Sequence, residues 1–137
     1  MEVEHVESVV DTEDRTLRTR IVRNEKPGEK GPVIRVLVAL PGPFRSKVEV
    51  PFPVFRQIDK RTGAITGYEA TFPGGGFPAL EPARQSVIGQ NGTRYYLSDA
   101  DEEGRDIADR LLAQVRHVAL TYLASKGKGP SEGTITL

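Results

Sequence analysis

Alternating apolar and polar residues occupy much of the first hundred positions, and a period of two predicts β-strands. Segment 15–24 is the clearest example, because its two faces differ in composition. One face, rich in arginine, consists of Thr16, Arg18, Arg20 and Val22. The other consists of Leu17, Thr19, Ile21 and Arg23. The pattern predicts a half-buried strand with a basic outer side.

Three further strands follow in the sequence. Segment 33–40 is apolar at almost every position, which predicts a central strand that ends at Pro41. Segment 46–58 alternates, but Pro51 and Pro53 cannot donate to a ladder, so we expect an edge strand or a break. Residues 59–63 predict a turn, and segment 64–72 a returning strand.

A stretch rich in glycine and proline, residues 73–90, predicts a long irregular loop. Its best candidates for contact with a partner are Gly74, Gly75, Gly76 and Phe77. Asn91-Gly92 is a typical hairpin turn, and residues 93–97 predict a short strand.

One long helix is expected after position 98. Asp99 and Glu102 fit a capping box, with Ser98 as the alternative cap. An apolar stripe follows at helical spacing, formed by Ile107, Leu111, Val115, Val118 and Tyr122. Gly127 marks the expected end of the helix.

These elements predict an α+β fold: a mostly antiparallel sheet of five or six strands packed against one long C-terminal helix. Residues 1–14 form an acidic N-terminal arm or a first strand, and residues 15–126 a single domain. Residues 127–137 are a flexible C-terminal tail in composition, although residues 134–137 also suit a short strand.

The formal net charge of zero conceals an uneven distribution of charge. Residues 1–14, here called the acidic segment, hold six acids and no Lys or Arg, whereas residues 15–62 hold twelve bases and four acids. The chain contains no cysteine, which fits a reducing compartment, and no apolar run long enough for a membrane span. We therefore expect a cytoplasmic protein without membrane contact.

Residues that would carry catalysis are sparse. His5 and His117 are far apart in the sequence and suggest exposed positions, and the acids near Asp99 are explained by helix capping. The glycine run at 74–76 precedes no helix, so it does not resemble a phosphate loop. The sequence predicts no enzyme, no cofactor and no metal site.

The basic strands are the sharpest functional feature of the sequence. Arginine and lysine side chains on a sheet can follow a phosphate backbone or contact a protein partner. The candidate binding residues are Arg18, Arg20, Arg23, Lys26, Arg35, Arg45 and Lys47.

Residues 51–73, with Pro-Phe-Pro-Val-Phe-Arg-Gln-Ile-Asp-Lys and Gly-Tyr-Glu-Ala-Thr-Phe-Pro, faintly resemble the first hairpin of HicB-type antitoxins. The resemblance implies a strand pair followed by a loop and an acidic-capped helix. The family's Pro-Gly-Cys is absent, about 50 residues precede the hairpin, and no DNA-binding unit follows. The resemblance therefore assigns no family.

Three functional hypotheses remain. The first is a non-catalytic protein-interaction module, such as a regulator, inhibitor or assembly component, which binds a protein partner or self-assembles; a small viral or plasmid-encoded protein would fit. The alternative is a protein that binds single-stranded nucleic acid through residues 15–47. The third is an enzyme with an unfamiliar site.

Overall fold

The structure is a computed structural model that describes residues 15–26, 28, 30–41, 47–73, 86–88, 94–96 and 102–137. In chain order, the described elements are β1 (Thr16–Arg23), β2 (Ile34–Pro41), β3 (Lys47–Ile58), β4 (Ile65–Ala70), β5 (Ser86–Ile88), β6 (Arg94–Tyr96), α1 (Glu102–Ala124) and β7 (Glu132–Thr136).

The main sheet has five strands in the order β4-β3-β2-β1-β7, and every neighbouring pair is antiparallel. Strands β5 and β6 pair with each other in a separate two-stranded sheet. The α+β fold with one long helix after the meander is therefore confirmed.

One face of the main sheet packs against α1 and supplies most of the core. Its buried strand residues include Leu17, Val36, Val38, Leu40, Val50, Phe52 and Val54. The helix contributes the predicted stripe, with Ile107, Leu111, Val115 and Tyr122 buried. Phe52 is fully buried, and its ring centroid lies 5.6 Å from that of Phe72. Burial of such an aromatic side chain contributes about 2–3 kcal/mol.

Strand β3 differs from the expectation of an edge strand or a break. It runs unbroken for 12 residues and lies between β2 and β4. Its pairing with β4 covers only Val54–Ile58, whereas Pro51 and Pro53 lie opposite β2 residues. The carbonyl oxygen of Pro53 accepts from Thr71 on the β4 side, so its ring nitrogen faces that side too. The prolines are accommodated because the ladder with β4 ends at this point.

The stretch predicted to be irregular, residues 73–90, contains the short strand β5. Val87 in this strand is fully buried in the core cluster and lies opposite Tyr95 of β6. Several predictions lie outside the described residues: the acidic segment with His5, Arg45, the loop at Gly74, Gly75, Gly76 and Phe77, and the cap at Asp99.

Residues 127–137, predicted to be a flexible tail, contribute the fifth strand of the sheet. β7 pairs with β1 from Thr16↔Thr136 to Arg20↔Glu132, and Ile135 is buried. The side-chain amide of Gln114 on α1 bonds both backbone groups of Thr136: it accepts from the N–H at 3.2 Å and donates to the carbonyl oxygen. This tie and the burial of Ile135 hold the strand in place.

Candidate interaction surface

The sheet face opposite α1, here called the outer face, carries four of the predicted basic residues. Arg18 and Arg20 project from β1, Arg35 from β2 and Lys47 from β3, and all four are exposed. They share a face because the core residues Leu17, Ile34 and Val48 occupy the alternate positions of these strands. Alternation in the sequence predicts the common face of Arg18 and Arg20, and the fold brings Arg35 and Lys47 to the same side of the sheet.

Arg20 makes the best-defined polar contact of the outer face. Its guanidinium binds the Glu49 carboxylate with two hydrogen bonds, Nε to Oε2 at 2.6 Å and Nη2 to Oε1 at 2.8 Å. The pair spans β2, since Arg20 lies on β1 and Glu49 on β3. A bidentate pair of this kind fixes the orientation of both side chains.

The same contact alters how the two groups titrate. The hydrogen bonds from Arg20 and its positive charge, with a smaller effect from Arg18, lower the pKa of Glu49 below its usual value. The bonds to Glu49 and its charge, together with that of Glu132, raise the pKa of Arg20. Both groups stay ionised around neutral pH, and the contact offers no proton donor or acceptor for acid–base chemistry.

Acids balance much of the positive charge on the outer face. Glu49 on β3, Glu69 on β4 and Glu132 on β7 are exposed on the same side as the four bases. A shallow groove of about 500 Å³ lies among residues of both signs, with Arg18, Arg20, Lys47, Glu49, Glu132 and Thr134 in its lining. The groove therefore presents alternating charges, and a ligand that carried only negative charge would meet carboxylates beside the guanidinium groups.

Apolar residues lie in the middle of the outer face, within this charged border. This group, here called the apolar stripe, consists of Leu37, Ala39, Pro51, Pro53 and Phe55. Leu37 and Pro51 are cross-strand partners, and Phe55 continues along β3. Pro51 is exposed and the other four are half-buried.

Sequence reasoning did not single out this stripe as a surface. The sequence feature that could have indicated the stripe is the presence of apolar residues on both faces of segment 33–40. That pattern is also typical of a strand buried on both sides, so it predicts burial. In the structure only the even-numbered residues of β2 face the helix.

Two further basic candidates, Arg23 and Lys26, do not join this face. Arg23 ends β1, and its guanidinium lies beside Gly127 near the end of α1. Lys26 lies in the β1–β2 turn, where its N–H donates to the Asn24 side chain at 3.3 Å. The seven basic residues selected from the sequence are therefore not a single patch.

Residues suited to catalysis do not come together in the described structure. His117 is exposed on α1, beside an apolar depression of about 430 Å³ that Tyr122 and Pro130 also line. Within the described ranges, no group of three His, Cys, Asp or Glu residues is arranged to hold a metal ion.

The helix α1 is too polar to span a lipid bilayer, and the described residues include no other long helix.

Comparison of the chain with protein-family models, curated proteins and solved structures gave no significant match.

Proposed function

We propose that the protein is a non-catalytic interaction module that binds a protein partner on the outer face of its sheet. The observation that carries this proposal is the apolar stripe, bordered by arginine, lysine and glutamate side chains. Protein interfaces combine an apolar centre with a charged and polar rim, and they include arginine more often than the rest of the surface. We further propose a regulatory or assembly role in the cytoplasm. Disulfides are rare in that reducing compartment, so a chain without cysteine fits it.

The mixed charge of the border favours a protein partner over a polyanion. Glu49, Glu69 and Glu132 would repel phosphate groups, and Glu49 already occupies the guanidinium of Arg20. A protein surface can present acidic residues to Arg18 and Arg35. It can also present basic residues to Glu69 and Glu132, so both the bases and the acids of the border can form ion pairs with it.

Single-stranded nucleic acid is the second candidate, favoured by the common face of Arg18, Arg20, Arg35 and Lys47. Such binding also uses aromatic rings on which bases stack. Phe52 is fully buried in the core, so Phe55 is the one phenylalanine or tyrosine of the described outer face that offers a ring. This shortage ranks nucleic acid below a protein partner.

The proposal is tested by affinity capture with a variant of the apolar stripe. Pro51→Glu/Phe55→Glu places two charges in the proposed interface, whereas Ala113→Glu places one charge at an exposed position of α1. Circular dichroism first establishes that both variants are folded. The wild type and Ala113→Glu should retain the same proteins from a lysate of the producing cells, and the stripe variant should lose them.

Equal capture by the stripe variant would remove the proposal. Retention of an oligonucleotide at about 50 mM salt, lost in Arg18→Ala/Arg20→Ala and at high salt, would replace it with the nucleic-acid alternative.

A further inference from the structure

Two turns and one helix terminus meet at the same end of the molecule. Because the strands are antiparallel in the order β4-β3-β2-β1, the β1–β2 and β3–β4 turns both lie at this end. The Arg56 guanidinium on β3 donates to the Gly28 carbonyl in the first turn. The Ile21 N–H of β1 donates to the Ser131 carbonyl at 2.8 Å, which brings the segment after α1 to the same end.

This end of the molecule is strongly basic. We define the basic end as segments 22–33, 58–65 and 125–131. Its exposed bases are Arg23, Lys26, Lys30, Lys60, Arg61, Lys126 and Lys128, and its described acids are Glu25 and Asp59. Glu29 belongs to segment 22–33 but lies outside the described residues. None of the seven bases forms an ion pair with a described acid, so their charge is available to a ligand.

Exposed aliphatic side chains accompany the bases. The large hydrophobic residues that are exposed in the described structure are Val22, Ile58 and Ile65, at 39%, 41% and 50%. Ile58 and Ile65 are cross-strand partners at the base of the β3–β4 turn that carries Lys60 and Arg61. All three belong to the basic end, so this surface suits a ligand that combines carboxylates with aliphatic groups.

The acidic segment has this composition. Its acids are Glu2, Glu4, Glu7, Asp11, Glu13 and Asp14, and its aliphatic residues include Val3, Val6, Val9 and Val10. It contains no lysine or arginine. We propose that the basic end binds the acidic segment of a second copy of this chain, so that copies associate head to tail.

Chain length argues against the same contact within one molecule. The acidic segment joins β1 at Arg15, and β1 runs for 8 residues from there to the basic end. Returning along β1 takes about as many residues, since a strand rises about 3.3 Å per residue. Residues 7–14 would be spent on the span, and they carry Glu7, Asp11, Glu13 and Asp14. A second copy can present all six carboxylates, which a single copy cannot.

Sedimentation velocity of the full chain at about 20 mM and about 500 mM NaCl tests the proposal, because salt screens such contacts at the higher concentration. At low salt we expect the mean mass to rise with protein concentration beyond that of a dimer, since a head-to-tail contact does not close by itself. At high salt we expect a monomer.

Three variants test the contact. Lys60→Glu/Arg61→Glu should weaken self-association at least tenfold, whereas Arg105→Glu/Arg116→Glu, an equal charge change on exposed positions of α1, should leave it within twofold. A third variant, Glu2→Gln/Glu4→Gln/Glu7→Gln/Asp11→Asn, keeps the basic end and removes most of the acidic charge. The Lys60/Arg61 and acidic-segment variants should each be monomeric alone and form a dimer, and nothing larger, when mixed.

A monomer at every concentration at low salt would overturn the proposal, and so would association that resists salt. Equal loss in the α1 control would also overturn it, as would the absence of the mixed dimer. None of these variants changes a residue of the outer face, so the outcome of this experiment does not depend on the proposed partner of that face.

Discussion

Lys126 adopts a left-handed backbone conformation, with φ 58°, at the end of α1. The Lys126 N–H donates to the Leu123 carbonyl at 3.0 Å and the Gly127 N–H to the Tyr122 carbonyl at 3.1 Å. These two bonds form a Schellman motif, in which the left-handed position is most often glycine. The sequence predicts the helix end at Gly127, which is itself left-handed with φ 76°, but the left-handed position of this motif is Lys126, one residue earlier.

Lys126→Gly should stabilise the protein. Glycine removes the steric cost of the left-handed conformation, about 1–2 kcal/mol. It also makes the unfolded chain more flexible, and that conformational entropy stabilises the unfolded state by about 0.4–1 kcal/mol. We therefore expect a net gain of about 0.5 kcal/mol in the free energy of unfolding, measured by urea denaturation. Lys126→Ala, which removes the charge and keeps the penalty, is the control and should show no gain. Equal stabilisation by both variants would contradict this explanation.

Glu49 should titrate differently once Arg20 is removed. The folded-state pKa of Glu49 is lowered by Arg20, so the stabilisation is present above the pKa of the unfolded chain. It is lost as the pH falls through the folded-state pKa. Carboxyl carbon shifts followed by NMR should show a lowered midpoint in the wild type, returning to the usual glutamate range in Arg20→Gln. Arg35→Gln, on the same face, should leave the midpoint of Glu49 unchanged; a shift in this variant would mean that a general field sets the pKa.

At the level of elements, β7 is an edge strand, and one side chain of the helix bonds to its free edge. Gln114 satisfies both the N–H and the carbonyl of Thr136, as a neighbouring strand would. A row of unpaired backbone groups on an edge strand invites pairing with other chains, and the amide occupies part of that row.

Gln114→Ala should release the end of β7. Loss of two partly exposed hydrogen bonds should lower the free energy of unfolding by about 1 kcal/mol. Hydrogen exchange at the Thr136 amide should accelerate more than exchange at the Val36 amide in β2. Arg116→Ala, an exposed substitution on the same helix, is the matched control. Equal acceleration at Thr136 and Val36 would show that the tie stabilises the whole fold and has no local effect.

Sequence patterns predicted the elements with strong periodicity and missed those that depend on distant contacts. Strands β1 and β2 and the stripe of α1 follow directly from alternation and helical spacing. Strand β5 is only three residues long, and Val87 becomes buried through the distant parts of the chain that pack around it. The course of β3 through Pro51 and Pro53 depends on where β4 stops pairing, which no local pattern encodes.

The candidate surface shows the same division. Alternation predicts that Arg18 and Arg20 share a face, but no local pattern indicates that Glu49 reaches Arg20 across β2. Arg23 and Lys26 were grouped with them by proximity along the chain, yet they belong to the basic end. Their association with Lys60 and Lys126 depends on the antiparallel order of the strands and the direction of α1.

For the whole molecule, zero net charge results from regions with separate chemistry. The outer face holds both signs around an apolar stripe, the basic end holds lysines and arginines, and the acidic segment joins β1 at the opposite end. The apolar stripe and the Lys60/Arg61 turn, on which the two proposals rest, share no residue.

The central claim, that the outer face binds a protein partner, is tested most directly by photocrosslinking from that face. A photoreactive phenylalanine analogue replaces Phe55 in one variant and the exposed Ala113 of α1 in the other. After irradiation in the producing cells, position 55 should give one dominant protein adduct that position 113 does not give. Adducts of the same pattern from both positions, or none from position 55, would contradict the claim.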